Sequence, residues 1–489
     1  MRANIGKELT KITDDLNIMA KGCSSRIGAL DPANSKKTHQ KANVNDGQLR
    51  AKTFVPRESR LTVLLQIQDF VTVYNIFVSI LPILGLTMVL QNYAEKGNFI
   101  DFSLMIFTFG KPHLTFLGWT ILLGATLVGY FWKFAYKALP FPVLVALYVT
   151  YQSCLALFAG YYTLFNQLPP ASALIIMCEQ TRLSMKIHSF FRTHLPTNNK
   201  PAEEVYQQLE EQGPKLSEAG FSEFLYFIAC PSIIYRTSYP RTPLVQWSKV
   251  VSHALECVFI VLYIYIVFTR FLFPIIRVPP TPGEDTLWDF VLMSFNAMLP
   301  SIMIFVFGFF GFLHSWMNFW AELLQFADRE FYRDWWNSLS FAEYYRKWNG
   351  VVYDWLYAYV YSDVVLFLEK HGFKKLAARS LSSLFVIEAS AVIHEFIIAC
   401  AFGFFFPVLL LMFGGPGVLF THFTRKRKDQ NIFVWAMLFI GFGLMITLYS
   451  REYYFRQLYL EPRPIDWVYI NQFFTSYTWR NLIEMFNLI

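Results

Sequence analysis

From residue 70 onward the chain is a succession of long apolar runs separated by polar turns. The runs fall near 70–91, 114–133, 139–166, 254–276, 287–317, 381–413 and 431–450. Each approaches or exceeds the ~20 residues a helix needs to cross a bilayer. The run at 381–413 is too long for one straight span, and Pro407 or Gly414–Gly415–Pro416 is the expected break. Two amphipathic segments, 171–190 and 351–368, are read either as spans enclosed by protein or as interfacial helices. The pattern predicts an all-α polytopic membrane protein with eight or nine crossings. No internal repeat is visible, which removes the usual pointer to a secondary transporter.

Polar stretches break the pattern in three places. Residues 1–65 are polar and turn-rich and read as a disordered tail, with 66–489 as the transmembrane domain. Residues 191–222 form a hydrophilic loop, and Arg425–Lys426–Arg427–Lys428 marks another loop on the cytosolic side. Composition agrees with an apolar solvent: 55% hydrophobic and 19% aromatic residues against 16% charged, in 489 residues of mean hydropathy +0.34. The chain carries a formal charge of +7, and residues 1–60, with 12 Lys+Arg against 6 Asp+Glu, account for +6 of it. A basic tail of this kind stays cytosolic. Its cations are scattered and no recognition motif accompanies them, so nucleic acid is not expected as a partner. The first 60 residues hold no apolar run like that of a signal peptide, so insertion is expected to begin at an internal span. The six cysteines (Cys23, Cys154, Cys178, Cys230, Cys257 and Cys400) show no CxxC and no metal-ligand spacing, so neither a disulfide framework nor a zinc site is expected.

Familiar nucleophile signals are missing: there is no GxSxG, no P-loop, no GxGxxG and no His-x4-Asp. One histidine stands out. His394 lies in LSSLFVIEASAVIHEFIIACAFGFFF, apolar enough for a membrane helix, where ionisable groups are costly and usually face protein or a wet cavity. Ser390, four residues earlier, shares its helical face, and Glu388 and Glu395 share a neighbouring one. The functional reading is a buried general base reaching a tunnel; the structural reading is a histidine bonded across helices. The densest polar-aromatic block is FYRDWWNSLSFAEYYRKWN, 331–349. Its Trp335, Trp336 and Trp348 suit an interfacial belt, or rings stacked on a nucleobase, with Arg333, Arg346 and Lys347 as phosphate contacts and Asn349 as a hydrogen-bond donor to a reacting group. His314, in GFFGFLHSWMNF, is also at membrane depth but has no polar block beside it.

These motifs carry a resemblance. FYRDWWN (331–337), YYRKWN (344–349) and SAVIHE (390–395), with LPPAS (168–172), EQTRLSMKIHSF (179–190) and IIYRTSYPR (233–241), resemble the membrane-bound O-acyltransferase superfamily and, within it, the sterol O-acyltransferases. The resemblance covers residues 60–455. It implies a helical bundle with an intramembrane reaction tunnel, located in the endoplasmic reticulum, and an acyl transfer from acyl-CoA to a sterol 3β-hydroxyl. No covalent intermediate, cofactor or metal is implied. His394 maps onto the family's catalytic base and Asn349 onto its second invariant polar residue. Arg346, Asn349, Tyr353, Tyr361 and Ser390, with Arg379 as a further basic contact, would bind acyl-CoA. Phe331, Tyr332, Asp334, Trp335, Trp336, Asn337 and Trp348 would support the CoA entrance. A homodimer or homotetramer is implied. Three departures stand out: Tyr353 occupies a place where the sterol enzymes usually carry His, about six extra residues lie near 369–378, and no Cys follows Cys400. A diacylglycerol O-acyltransferase and a non-catalytic sterol-binding or transport protein are the rival readings.

Overall fold

The computed structural model describes residues 52–99, 101–195, 220–277, 286–422, 430–460 and 465–487. Tail residues 1–51, most of the hydrophilic loop and the 425–428 basic cluster lie outside the described residues. Apart from two isolated β-bridges, Arg57 with Asp328 and Arg241 with Phe326, the regular structure among the described residues is helical.

Among the described residues, eight helices are long and apolar enough to cross a membrane. The first, α1 (Gln68–Lys96), turns Val73, Ile76, Ile83, Leu86 and Leu90 outward, as a helix solvated by lipid tails does. It ends at Gly97, whose φ of 71° is the left-handed conformation that glycine adopts without a Cβ penalty. Next come α2 (Pro112–Val128) and α3 (Phe141–Phe165), each with proline in its first turn, where the missing N–H costs nothing.

The amphipathic stretch at 171–190 becomes α4 (Pro170–His194), which is enclosed by protein and packs against α2 and α3. Two of its polar residues are spent on the end of the helix Phe221–Ala229 and the segment that follows it. Lys186, 1% exposed, donates to the carbonyls of Phe227 and Cys230, and Ser189 donates to that of Ile233. The sequences EQTRLSMKIHSF and IIYRTSYPR are thus two sides of one scaffold joint.

The remaining spans are α5 (Trp247–Val267), α6 (Leu287–Phe309) and the helices after the 331–349 block. A Thr286–Asp289 capping box starts α6. Residues Phe310–Trp316 continue it as a π-helical turn. The polar-aromatic block itself contains α7 (Phe341–Trp348), and past it come α8 (Gly350–Leu356), α9 (Ser362–Lys370) and α10 (Lys375–Phe402). The second amphipathic segment, 351–368, thus falls within the candidate span Gly350–Lys370. Then follow α11 (Val408–Met412) and α12 (Gln430–Tyr459), which packs along α6.

Two expectations need correction. The long run at 381–413 breaks at Gly403 (φ 77°), where the N–H groups of Gly403 and Phe404 both bond to the Ala399 carbonyl; Pro407 then caps α11. Gly414–Pro416 breaks nothing and lies inside a π-helical turn, Phe413–Gly417. The second correction concerns the tail, which does not extend to residue 65. Arg57 is clamped by Asp328 (2.6 Å) and Glu330 (2.9 Å), its N–H donates to the Ala327 carbonyl, and Ser59 is fully buried. Residues 52–64 therefore belong to the folded body, fixed by charges that composition alone assigns to a solvated tail.

Candidate active site

The block at 331–349 folds back on itself. The Gly350 N–H donates to the Phe331 carbonyl and the Arg333 N–H to the Lys347 carbonyl, each at 2.8 Å. Glycine is needed at 350 because a Cβ there would sit 3.3 Å from the Glu330 and Phe331 carbonyl oxygens. Phe331, Tyr332 and Trp335 are buried. The Trp335 ring lies within 6 Å of Phe305, Phe309, Trp348 and Trp435, and Trp348 stacks on Phe305 at 4.3 Å. The Trp336 carbonyl accepts from Asn431 and Trp435. Trp335 and Trp348 are therefore neither an interfacial belt nor a nucleobase platform: their faces are spent joining the block to α6 and α12.

The cations of the block divide in the same way. Lys347 lies 3.1 Å from Asp334 and 2.8 Å from Glu343, and Arg333 pairs with Glu330. Partial burial works to raise the Glu343 carboxyl, but its bonds from Lys347 and the Leu339 N–H prevail, and it titrates below the usual carboxylate range. Of the three candidate phosphate contacts, Arg346 alone stands exposed without a hydrogen bond or close ion pair among the described residues. Asn337 is exposed as well.

Asn349 caps α8: its Oδ1 accepts from the Val352 N–H at 3.1 Å, leaving the amide Nδ2 as its unspent donor. From there Tyr353, Tyr357 and Tyr361 form a ladder of stacked rings, with centroids 6.3 and 5.3 Å apart. At its far end Tyr361 lies beside Ser383 and in the field of Arg379, both on α10. Arg379, Ser383, Ser390 and His394 recur at helical spacing, so they fall on one stripe of α10.

At the end of that stripe the His394 Nδ1 lies 2.7 Å from the Ser390 carbonyl oxygen and 3.4 Å from its Oγ. A carbonyl can only accept, so Nδ1 carries the hydrogen and the neutral ring keeps its lone pair on Nε2. His394 is exposed rather than buried as expected. The buried ionisable group is its neighbour Glu395, 2% exposed, whose carboxylate accepts from the N–H groups of Leu409 and Leu410 and from the Tyr449 hydroxyl. One residue is a rotation of about 100° on a helix, which separates the two roles.

Neither sequence spacing nor motif shows what joins His394 to the polar-aromatic block. The Phe413 ring meets His394 edge-on at 6.1 Å and Tyr345 of α7 at 6.2 Å. The turn carrying Phe413 packs closely: a Cβ on Gly414 would stand 2.7 Å from a Glu388 carboxylate oxygen, and one on Gly417 would stand 3.0 Å from the Tyr345 hydroxyl. No hydrogen bond joins Asn349 to His394 among the described residues.

His314 also proves richer than its sequence context. It is 2% exposed, and its Nδ1 lies 2.7 Å from the Tyr332 hydroxyl, with Ser59 and Asn318 at 3.3 and 3.2 Å. These partners come from the N-terminal segment, the short helix Met317–Leu323 that follows the π-helical turn, and the FYRDWWN motif.

An exposed imidazole with its tautomer set by the backbone, on a membrane helix lined with polar groups, defines a polytopic membrane protein with a basic nitrogen presented at a site. The family model of the membrane-bound O-acyltransferases matches residues 102–451. Sterol O-acyltransferase 1 of Mus musculus is 36% identical over 438 residues, covering 86% of this chain and 78% of that protein. Sterol O-acyltransferase 2 of Homo sapiens is 34% identical over 429 residues, covering 86% and 79%. The chain belongs to the membrane-bound O-acyltransferase family.

Proposed function

We propose that this chain transfers a long-chain acyl group from acyl-CoA to a sterol 3β-hydroxyl, with His394 as general base. The observation that carries the reading is the His394–Ser390 hydrogen bond, which leaves Nε2 as the proton acceptor. The sterol acceptor rests on the likeness to sterol O-acyltransferases 1 and 2. The sterol hydroxyl passes its proton to Nε2 as its oxygen attacks the thioester carbon. The C–S bond breaks, the ester is released, and the CoA thiolate recovers the proton from the imidazolium. A thioester is already activated, so no covalent enzyme intermediate is needed. A base so placed contributes about 10²–10⁴-fold, and holding both substrates together contributes much of the remainder.

Arg346 and Arg379 supply positive charge for the anionic end of CoA, while Tyr353, Tyr361 and Ser390 flank its path toward His394. The Asn349 amide Nδ2 serves as donor to the reacting groups. Trp335 and Trp348 hold the block in place without touching substrate. The endoplasmic reticulum membrane, a cytosolic N-terminus and a homodimer or homotetramer complete the proposal.

The test offers purified protein labelled oleoyl-CoA with cholesterol and diacylglycerol side by side. Steryl ester formed by wild type and lost in His394→Ala supports the reading. Triacylglycerol in its place overturns the acceptor and keeps the base. No ester from folded protein with either acceptor favours a sterol-binding or transport role.

A further inference from the structure

His253, Glu256 and His314 converge away from the residues assigned to acyl transfer, and each offers a ligand atom within 4.8 Å of the other two. His253 and Glu256 are three residues apart on α5, on one face of that helix, with the His253 Nδ1 2.9 Å from a Glu256 carboxylate oxygen. His314 reaches them from the π-helical turn that ends α6. Such turns are rare and frequently mark functional sites.

We propose that these three side chains bind a divalent transition-metal ion, zinc by preference, and that the ion ties α5 to the end of α6. Two imidazoles and one carboxylate are a donor set that zinc takes with a fourth position left for water, whereas calcium and magnesium favour oxygen donors. Ligand bonds of about 2.0–2.2 Å set tetrahedral donors roughly 3.5 Å apart. The His253–Glu256 pair is already near that spacing, and a rotamer change within the cluster closes the rest.

The layer behind the ligands supports the same reading. Ser315 Oγ donates to Glu256 at 2.8 Å, which orients the carboxylate. The His314 Nδ1 is occupied by Tyr332, Ser59 and Asn318, so Nε2 is the ligand atom left to it. This arrangement, in which the outer nitrogen of a histidine is held by polar neighbours, is what positions metal-binding imidazoles. Among the described residues no hydrogen bond joins His314 to His253 or Glu256; the two imidazoles meet edge-on with centroids 5.7 Å apart. Ion binding would also brace the N-terminal segment, because Ser59 and Tyr332 both rest on the His314 ring.

The test uses the full chain purified through a tag without histidines, stripped with chelator, and reloaded with Zn²⁺ or Co²⁺. Expected are about one ion per chain, visible d–d absorption of the Co²⁺ form typical of tetrahedral nitrogen–oxygen ligation, and a melting temperature raised by Zn²⁺ and lowered again by chelator. His253→Ala and Glu256→Gln, at partly exposed positions that leave the fold intact, should each weaken binding at least tenfold. His371→Ala, an exposed histidine elsewhere, should leave it unchanged. Binding by wild type no tighter than by the His253→Ala/Glu256→Gln double variant overturns the proposal, as does a melting temperature indifferent to Zn²⁺. Either result would leave a His253–Glu256 ion pair and no metal.

Discussion

The Glu395 carboxylate and the Tyr449 hydroxyl lie 2.9 Å apart across α10 and α12, and the same carboxylate caps the start of α11. Next to it, His394 stabilises nothing of the kind, since its one close bond is to its own helix. Adjacent residues in an apolar run therefore divide support from the proposed chemistry, and they should respond differently to substitution.

Glu395→Ala takes the shared carboxylate from the Leu409 and Leu410 N–H groups and the Tyr449 hydroxyl in a buried site, leaving the Leu409 N–H its longer bond to Tyr449. Each such loss costs about 1–3 kcal/mol, so the variant should melt well below wild type, with Glu395→Gln intermediate. Thermal unfolding in detergent measures this. An unchanged melting temperature would mean that the α11 cap is dispensable.

His394→Ala should instead keep the wild-type melting temperature and lose acyl transfer by about 10²–10⁴-fold. Ser390→Ala, which retains the backbone carbonyl that sets the ring, should remain within about tenfold of wild type. If Ser390→Ala were as inactive as His394→Ala, the hydroxyl rather than the carbonyl would be what positions the base.

Arg346 and Arg379 are exposed, with no ion pair to lose among the described residues. Substituting either with alanine should change stability by no more than about 0.5 kcal/mol while raising the KM for acyl-CoA and leaving kcat near wild type. The effect should shrink as salt is added, because exposed charges are screened. Lys347→Ala offers the contrast: it unpairs Asp334 and Glu343 and should reduce stability as well. Steady-state kinetics at two ionic strengths separate the cases.

Arg57→Ala breaks both ion pairs of the N-terminal clamp at once, leaving Asp328 buried without its cation. A charged hydrogen bond of this kind contributes about 1.5–3 kcal/mol. Residues 52–64 should then become accessible to protease under conditions where wild type resists. Equal proteolysis in the two proteins would refute the clamp.

The spans were legible because apolar length is read directly from sequence, and α4 was recognisable as amphipathic because its polar side chains have partners inside the protein. What stayed hidden depended on backbone conformation or distant contact. The break at Gly403 rests on a positive φ that a Pro-based search passes over. Of the partners of His314, Asn318 sits in the same short window, but Ser59 and Tyr332 lie far outside it. Trp335 and Trp348 looked available for a ligand because their ring partners, Phe305, Phe309 and Trp435, lie on other helices. The candidate base itself was visible, as an ionisable residue in an apolar run, but its exposure and its link to Tyr345 through Phe413 were not.

The polar stripe on α10 also sets a length. Fifteen residues separate Arg379 from His394, and at about 1.5 Å per residue the helix holds them roughly 22 Å apart. An α-helix is stiff over that distance, so under the proposed function the stripe would work as a depth gauge for the donor, its charged end caught at one mark and its reactive carbon brought to rest at the other. The CoA part of every donor has the same length, so the gauge reads the invariant portion and ignores the acyl tail. Chains of different length would therefore present the thioester at the same point, and discrimination among them would fall to whatever lies beyond His394.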